Sequence, residues 1–462
     1  MSFCTDIFES WNNIEGNVNS QKEIFDWISN LNLKTTVTIT PSSIGKNTYW
    51  FLENGIIRNK NNSFFVISGI REYNGEQVRE QPIIVQNEVG YLGIVCKKIN
   101  GVLNFLMQAK IEPGNVNCVQ ISPTIQATKS NYTRAHGGKT PAYLDLFDNP
   151  TNFKIIYNQL QSEQSSRFFK KRNRNMIIMT DSEIEIYPNF KWMTLGQLKK
   201  LMEHDNLVNM DTRTVISGLI TCFCLPCNKS EEKLIKEIIN DDTLFNSMFY
   251  FDEDEYYQTV NLLNEYKKSH NYKTQLIPIR DLKEWEMSDF GIKARTNADF
   301  CVSFYDIHIQ GREVTHWSQP LVKACGRATF ALFFKNFGKQ KKCLIRLKPE
   351  IGVFDCVEFG PTIQRESTYS PINQNAVEDL FDKVISENKA SIKKYLLSEE
   401  GGRFYHEENY NYIIEIDDDI CNLPKEYCWV NLSTLSELMK KNNYLNIQLR
   451  NLLSLITIKG NE

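Results

Sequence analysis

The chain runs to 462 residues, enough for two or three domains with sizeable cores and too long for a peptide hormone or a small binding module. Its 53 Lys and Arg against 56 Asp and Glu leave a net charge of −3, without the strongly basic balance that favours a duplex nucleic-acid partner. With 41% apolar, 12% aromatic and 24% charged residues it is composed like a packed globular protein, neither disordered nor collagenous.

The N-terminal string MSFCTDIFESW has neither a basic n-region nor an apolar h-region, so a cytoplasmic protein is expected. Twelve cysteines scattered through such a chain read as reduced thiols rather than a disulfide framework. A helical segment covers 21–31. Apolar or alternating runs bounded by Gly, Asn and Pro follow at 64–69, 83–86, 90–97, 103–110 and 118–121, which predicts a meander of mostly antiparallel strands. Beyond Pro141 the pattern turns helical over 153–169, gives one strand at 176–179, and returns to helices at 195–203 and 212–220. Strands followed by helices imply an α+β layered fold rather than a βαβ wind. The longest apolar stretch, near 215–226, is too short to span a membrane.

The most informative feature is internal. The segment from Gln81, QPIIVQNEVGYLGIVCKKINGVLNFLMQAKIEPGNVNCVQISPTIQATKS, aligns without a gap on the segment from Gln319, QPLVKACGRATFALFFKNFGKQKKCLIRLKPEIGVFDCVEFGPTIQREST, with 13 identities in 50 positions. The register continues upstream, where Trp50 and Gly55 fall near Trp285 and Gly291, and downstream, where QSEQSSRFFKKRNRN at Gln161 answers LSEEGGRFYHEENYN at Leu397. A period of about 237 residues is a tandem duplication, since solenoid units recur far more often. Two similar domains are expected, 1–217 and 253–462, with 218–252 as the linker.

Common cofactor signatures are missing. No G-x-G-x-x-G follows a strand, and HGGKT at His136 fails as a phosphate loop because Thr133 stands where the first glycine belongs. Cys222, Cys224 and Cys227 lack a fourth ligand at zinc-finger spacing, so core thiols are preferred over a metal site. The dense polar stretch lies at 81–131, where Gln81, Gln86, Glu88, Gln108, Lys110, Glu112, Gln120, Ser122, Thr124, Gln126, Ser130 and Asn131 interrupt apolar strands. On a period of two, Gln86 shares a face with Glu88, and Gln108 with Lys110 and Glu112; such a face is either solvated or built for a ligand. A basic run follows at Arg167, Lys170, Lys171, Arg172 and Arg174, interleaved with Asn173 and Asn175. It reads as a solvated charge run or as an edge that grips a diphosphate, whose oxygens suit guanidinium forks. Asn206, Asn209, Asp211 and Arg213 crowd a helix start, where Asn209 or Asp211 would serve as cap.

The strings QPIIVQNEVGYLG, FLMQAKIEPGN, QISPTIQATKSNY, QSEQSSRFFKKRNRNM, WMTLGQL and DNLVNMDTR closely resemble the nucleoside-diphosphate-hexose 2,3-dehydratases of deoxysugar biosynthesis, over nearly the whole chain. The resemblance implies a Nudix-like fold in each repeat, a homodimer, no redox cofactor, and a separate 3-ketoreductase that intercepts the product. Neither repeat has the R-E-x-x-E-E helix with which Nudix pyrophosphatases hold Mg²⁺, so diphosphate hydrolysis is disfavoured; a nucleotide-sugar binder without turnover and a Nudix-type hydrolase are the alternatives to a dehydratase. The implied substrate is a 4-keto-6-deoxyhexose linked to thymidine, guanosine or cytidine diphosphate. Its chemistry needs a base near C3, a proton donor near C2 and a donor for the enolate oxygen at C4. The candidates are Tyr132, Glu88, Glu112, Glu163 and Lys110: Tyr132 or Glu163 for proton transfer, Lys110 or Gln108 at the enolate, and Arg167, Arg172 and Arg174 toward the diphosphate. Lys110, Glu112, Thr124, Gln126, Glu163 and Arg167 recur as Lys348, Glu350, Thr362, Gln364, Glu399 and Arg403. Gln86, Glu88, Gln108, Ser122, Asn131 and Tyr132 instead face Ala324, Gly326, Arg346, Gly360, Tyr369 and Ser370, so the chemistry is expected in the first repeat and a degenerate pocket in the second.

Overall fold

Asn100 and Gly101, both at positive φ (48° and 85°), make the tight turn that sends strand Gly90–Ile99 back along Val102–Ile111. This hairpin is the centre of a seven-stranded sheet in a computed structural model that describes residues 2–47, 49–61, 64–128, 140–223, 228–270, 272–310, 314–367, 374–388 and 391–458. On one side Arg172–Met179 pairs parallel with Gly90–Ile99 and antiparallel with Lys154–Ser162. On the other, Phe190–Met193 pairs with Val102–Ile111, and the short strands Val119–Ser122 and Ile125–Ala127 extend the two central ladders. The second repeat rebuilds the same sheet from Ser391–Ser398, Glu408–Glu415, Thr329–Phe337, Gln340–Lys348 and Tyr427–Val430, again with one parallel pair.

Each repeat also carries a five-stranded sheet, and here the two halves trade a strand. Trp50–Glu53, Ile56–Asn59, Val66–Asn74 and Gln77–Val85 supply four strands, and the fifth is Lys273–Ile277, paired from Lys273 opposite Tyr73 to Ile277 opposite Gly69. Reciprocally, Val37–Pro41 joins Phe300–Ile309, with Val37 opposite Ile309 and Pro41 opposite Tyr305. One apolar cluster takes Trp50, Ile57 and Phe65 from the first repeat and Trp285, Phe300 and Phe304 from the second, and the Phe168 and Phe404 rings lie 6.1 Å apart. A larger cluster unites helices Leu195–Met202 and Met210–Ser217 with their equivalents Leu432–Met439 and Ile447–Leu453. Two buried guanidiniums cross between the repeats: Arg213 donates to Ser398 O (2.6 Å), and its twin Arg450 donates to Ser162 O.

The mixed α+β character is as expected, and helix Gln21–Lys34, opened by a Ser20/Glu23 capping box, covers its predicted span. The region 153–169 is a correction. Its residues 154–162 form a strand, because Ile155 and the residues from Tyr157 to Ser162 pair against Arg172–Met179, with a bulge at Ile156, and this ladder overrides the helical spacing. The stretch 218–252 is also more than a linker. It holds helices Lys229–Ile239 and Asp242–Phe249, the second of which is the counterpart of Phe3–Asn12: Ser10 Oγ accepts from Leu195 N, and Ser247 Oγ accepts from Leu432 N.

Because each five-stranded sheet is completed by the other half, cutting the chain between residues 223 and 228 should leave two pieces that co-elute in native buffer and part only in denaturant. Independent elution of two folded fragments on size-exclusion chromatography would contradict the exchange.

Candidate functional site

The segment 163–171 returns the chain from strand Lys154–Ser162 to Arg172–Met179. It is held on the strand Gln77–Val85 by Ile84 N donating to Arg167 O (2.9 Å) and Phe169 N donating to Ile84 O (2.8 Å). Its first residue, Glu163, is buried, and its Oε2 accepts from Asn173 Nδ2 at 2.6 Å. Asn173 is itself fixed by Gly90 N (3.2 Å), and its carbonyl by Asn175 Nδ2 (3.1 Å). Burial first, then the Glu400 carboxylate, pushes the Glu163 carboxyl up to about 7, against the pull of Lys171 and Arg450. Lys171 is buried at the other end of the segment and donates to Glu88 O. Burial draws its ammonium down to about 8, with Glu88 and Glu163 opposing. The Glu88 carboxylate accepts from Gln86 Nε2 at 2.8 Å.

Opposite these stands helix Met210–Ser217. Asn209 caps it, its Oδ1 accepting from Thr212 N (2.8 Å), while its Nδ2 donates to Ser122 Oγ (2.7 Å) and Gln126 Oε1 (3.0 Å). Asp211, in the first turn, is 2% exposed, and its Oδ1 has no hydrogen-bond partner among the described residues. Burial, then the charges of Glu163 and Glu400, raises this carboxyl well above the ordinary aspartate range, while Lys110 opposes. Lys110 Nζ pairs with Glu112 Oε1 at 2.7 Å and donates to Gln126 O at 3.1 Å. The result is a secluded set of carboxyls, with two ammonium groups beside them, in which burial raises the proton affinity of the Glu163 and Asp211 pair. Such a pair can take a proton from one carbon and deliver one to a leaving oxygen.

The structure thus gathers Gln86, Glu88, Lys110, Glu112, Ser122, Gln126, Glu163, Asn173, Asn175 and Asn209. Other expected residues have different work. Gln81 donates to Ser166 O (2.7 Å), and Gln120 reaches Ser398 Oγ (2.7 Å) in the second repeat. Thr124 accepts from Val95 N (2.9 Å) and bonds Leu106 O, a staple repeated at Thr362, while Gln108 stands opposite Ser122 and Phe190 in the ladder. Arg213 is spent on Ser398 O. The basic run is not one face: Arg167, Lys170 and Lys171 belong to the segment before the strand that opens at Arg172, and its arginines have protein partners. Arg167 lies over the Phe300 ring (4.2 Å) and pairs with Glu366 (3.5 Å), Arg172 lies over Phe354 (3.8 Å), and Arg174 donates to Asn158 Oδ1 (2.9 Å). Ser130, Asn131 and Tyr132 lie outside the described residues, as do Cys224 and Cys227. Sequence reasoning did not single out Asp211 as a site residue and left Lys171 within a run read as solvated or as a diphosphate edge; the available signal was that Asp211 faces Gln448, and Lys171 faces Glu407, across the duplication.

The second repeat holds a related cluster. Glu350 Oε1 accepts from Gln364 Nε2 (3.1 Å), whose Oε1 accepts from Asn446 Nδ2 (2.9 Å), and Glu399 Oε1 accepts from Asn409 (2.8 Å). Beside it a cavity of about 200 Å³ is lined by Ala324, Gly326, Tyr405 and Glu407, where small residues replace Gln86 and Glu88.

Residues 21–219 and 257–456 each match the family described as NDP-hexose 2,3-dehydratase. The chain is 36% identical over 401 residues to a protein of Saccharopolyspora spinosa, covering 85% of this chain and 81% of that one. It is 34% identical over 431 residues to one of Streptomyces violaceoruber (91% and 93%) and 33% identical over 419 residues to one of Amycolatopsis orientalis (88% and 84%). All three are described as dTDP-4-dehydro-6-deoxy-alpha-D-glucopyranose 2,3-dehydratases.

The raised Asp211 carboxyl sets a stability test. The unfolded chain gives up this proton near the ordinary aspartate value while the folded chain keeps it, so the parent loses stability as pH climbs from about 4 through the folded value. Asp211→Asn removes that loss. Its Tm should gain on the parent by about 1–3 °C between pH 5 and pH 8 in scanning calorimetry; parallel curves would contradict the assignment.

Proposed function

The chain belongs to the NDP-hexose 2,3-dehydratase family, and from that premise we propose that its first-repeat site dehydrates a thymidine-diphosphate-linked 4-keto-6-deoxyhexose to the 3,4-diketo-2,6-dideoxy sugar. The observation that carries the site assignment is the buried Asp211–Glu163 environment with Lys110 and Lys171 beside it. The C4 ketone acidifies the C3 hydrogen. Glu163, poised about 7, takes that proton, and an ammonium from Lys110 or Lys171 holds the developing negative charge on O4. Collapse of the enolate breaks the C2–O bond as protonated Asp211 supplies the proton that turns hydroxide into water. Tyr132 is the second candidate for that donor. The C3 enol then moves its proton to C2, so the sugar loses one water with no net oxidation, and neither nicotinamide nor a metal enters the balance.

The same reading carries a Nudix-like fold in each repeat, a homodimer, a cytoplasmic setting and a downstream reductase for the C3 ketone. Motif resemblance supports the first two, the scattered cysteines read as reduced thiols support the third, and the reactivity of a vicinal diketone supports the last.

Incubation with the thymidine-diphosphate 4-keto-6-deoxyglucose substrate in EDTA, read by mass, should give a product lighter by one water, with solvent deuterium entering C3 of recovered substrate or a C3 isotope effect on turnover. Cleavage into two phosphorylated fragments would point to hydrolysis, and an unchanged mass to a binder. Asp211→Asn and Glu163→Gln should each cut kcat by about 10²–10⁴ with little change in nucleotide affinity; full turnover in both would move the chemistry elsewhere.

A further inference from the structure

Arg167 was expected, with Arg172 and Arg174, to grip a diphosphate, yet it is turned toward the second repeat and neutralised by Glu366. Its duplicate, Arg403, makes the opposite journey. The segment 400–406 docks on the first repeat through Gly114 N donating to Gly401 O (2.7 Å) and His406 N donating to Gly114 O (2.9 Å). The fit is close at Gly401, where a Cβ would overlap Asn115 and come within 3.0 Å of Glu112 Cβ. Arg403 is thereby delivered, 7% exposed, to the wall of the first-repeat site. Its Nη2 donates to Gln86 Oε1 at 3.2 Å, and Gln86 in turn holds Glu88. The guanidinium lies over Phe64 (4.1 Å) and Phe65 (4.9 Å), which fix its plane and keep water from one face.

What differs between the twins is the counter-ion. Both Nε atoms lack a hydrogen-bond partner among the described residues, but Arg167 has Glu366, whereas the first repeat has Thr128 at that place, and Arg403 makes no ion pair among the described residues, its charge acting only at longer range on the Glu400 carboxyl. A buried guanidinium without an ion-pair partner is costly unless an anion comes to it.

We infer that Arg403, contributed by the second repeat, holds the diphosphate of the nucleotide sugar in the first-repeat site. The active pocket is then composite, and the role sequence reasoning gave to Arg167 is filled by its copy 236 residues on. This rests on the reading that the first repeat is the catalytic one.

Turnover isolates that pocket from the other. Arg403→Gln should raise KM for the nucleotide sugar at least tenfold with kcat changed less than threefold, and weaken inhibition by thymidine diphosphate while leaving that by thymidine untouched; Arg403→Lys should recover part of the loss. Thr128→Glu, which supplies the missing carboxylate, should raise KM similarly by pairing Arg403 internally, and it decides the matter should Arg403→Gln fail to fold. Parental KM in a folded Arg403→Gln, or in Thr128→Glu, would overturn the inference. Loss of kcat in Asp211→Asn alongside those parental values would leave the first-repeat reading standing, whereas full turnover in Asp211→Asn and Glu163→Gln would sink that reading instead.

Discussion

A strand at the edge of a sheet has backbone donors and acceptors that must be satisfied, and here the satisfying strand comes from the other repeat. Val37–Pro41 pairs with Phe300–Ile309 while Lys273–Ile277 pairs with Val66–Asn74, so neither repeat closes its smaller sheet alone. The remaining contacts between the halves build on this exchange. Arg213 and Arg450 cross in opposite directions, and the segments 163–171 and 400–406 each rest on a glycine of the other repeat, Gly352 and Gly114, by paired backbone hydrogen bonds. The meeting of Arg403 with Gln86 across the two halves is one direct outcome.

That frame makes the chemistry affordable. Glu163, Asp211 and Lys171 are all but removed from water, and each would be cheaper to bury as a neutral group. The chain holds them in place with a rigid scaffold of Asn173, Asn209 and a helix start rather than by pairing every charge. The displaced proton affinities follow from that seclusion, and they bring carboxyl and ammonium groups toward the neutral range in which proton transfer is fastest.

The central sheet was legible because its strands alternate or run apolar between clear turn residues, and Asn100-Gly101 marks its main hairpin. Glu163, Lys110 and Gln126 were legible as polar residues set into apolar surroundings and kept in both copies. Residues 154–162 were misread because isoleucines and tyrosine at helical spacing also suit a strand once a partner is supplied, and the partner lies further along the chain. Asp211 escaped because an acidic residue in the first turn of a helix has an ordinary explanation, although Asn209 is the cap. The basic run was read as one patch because sequence proximity hides the boundary at Arg172, where the segment 163–171 gives way to a strand. Arg403 had no local signal at all, since its partner Gln86 is 317 residues away.

The strand exchange also sets a timetable for synthesis. Val66–Asn74 leaves the ribosome about 200 residues before Lys273–Ile277, an interval of roughly 10–40 s at ordinary elongation rates. Throughout it one edge of the first sheet stands open, and Val37–Pro41 waits longer still for Phe300–Ile309. The nascent first half is therefore a partly finished sheet whose free edge invites pairing with any passing chain. Slower translation would lengthen that exposure, so yield in a foreign host should depend on elongation speed and on chaperones that cover strand edges more than on the stability of the finished molecule.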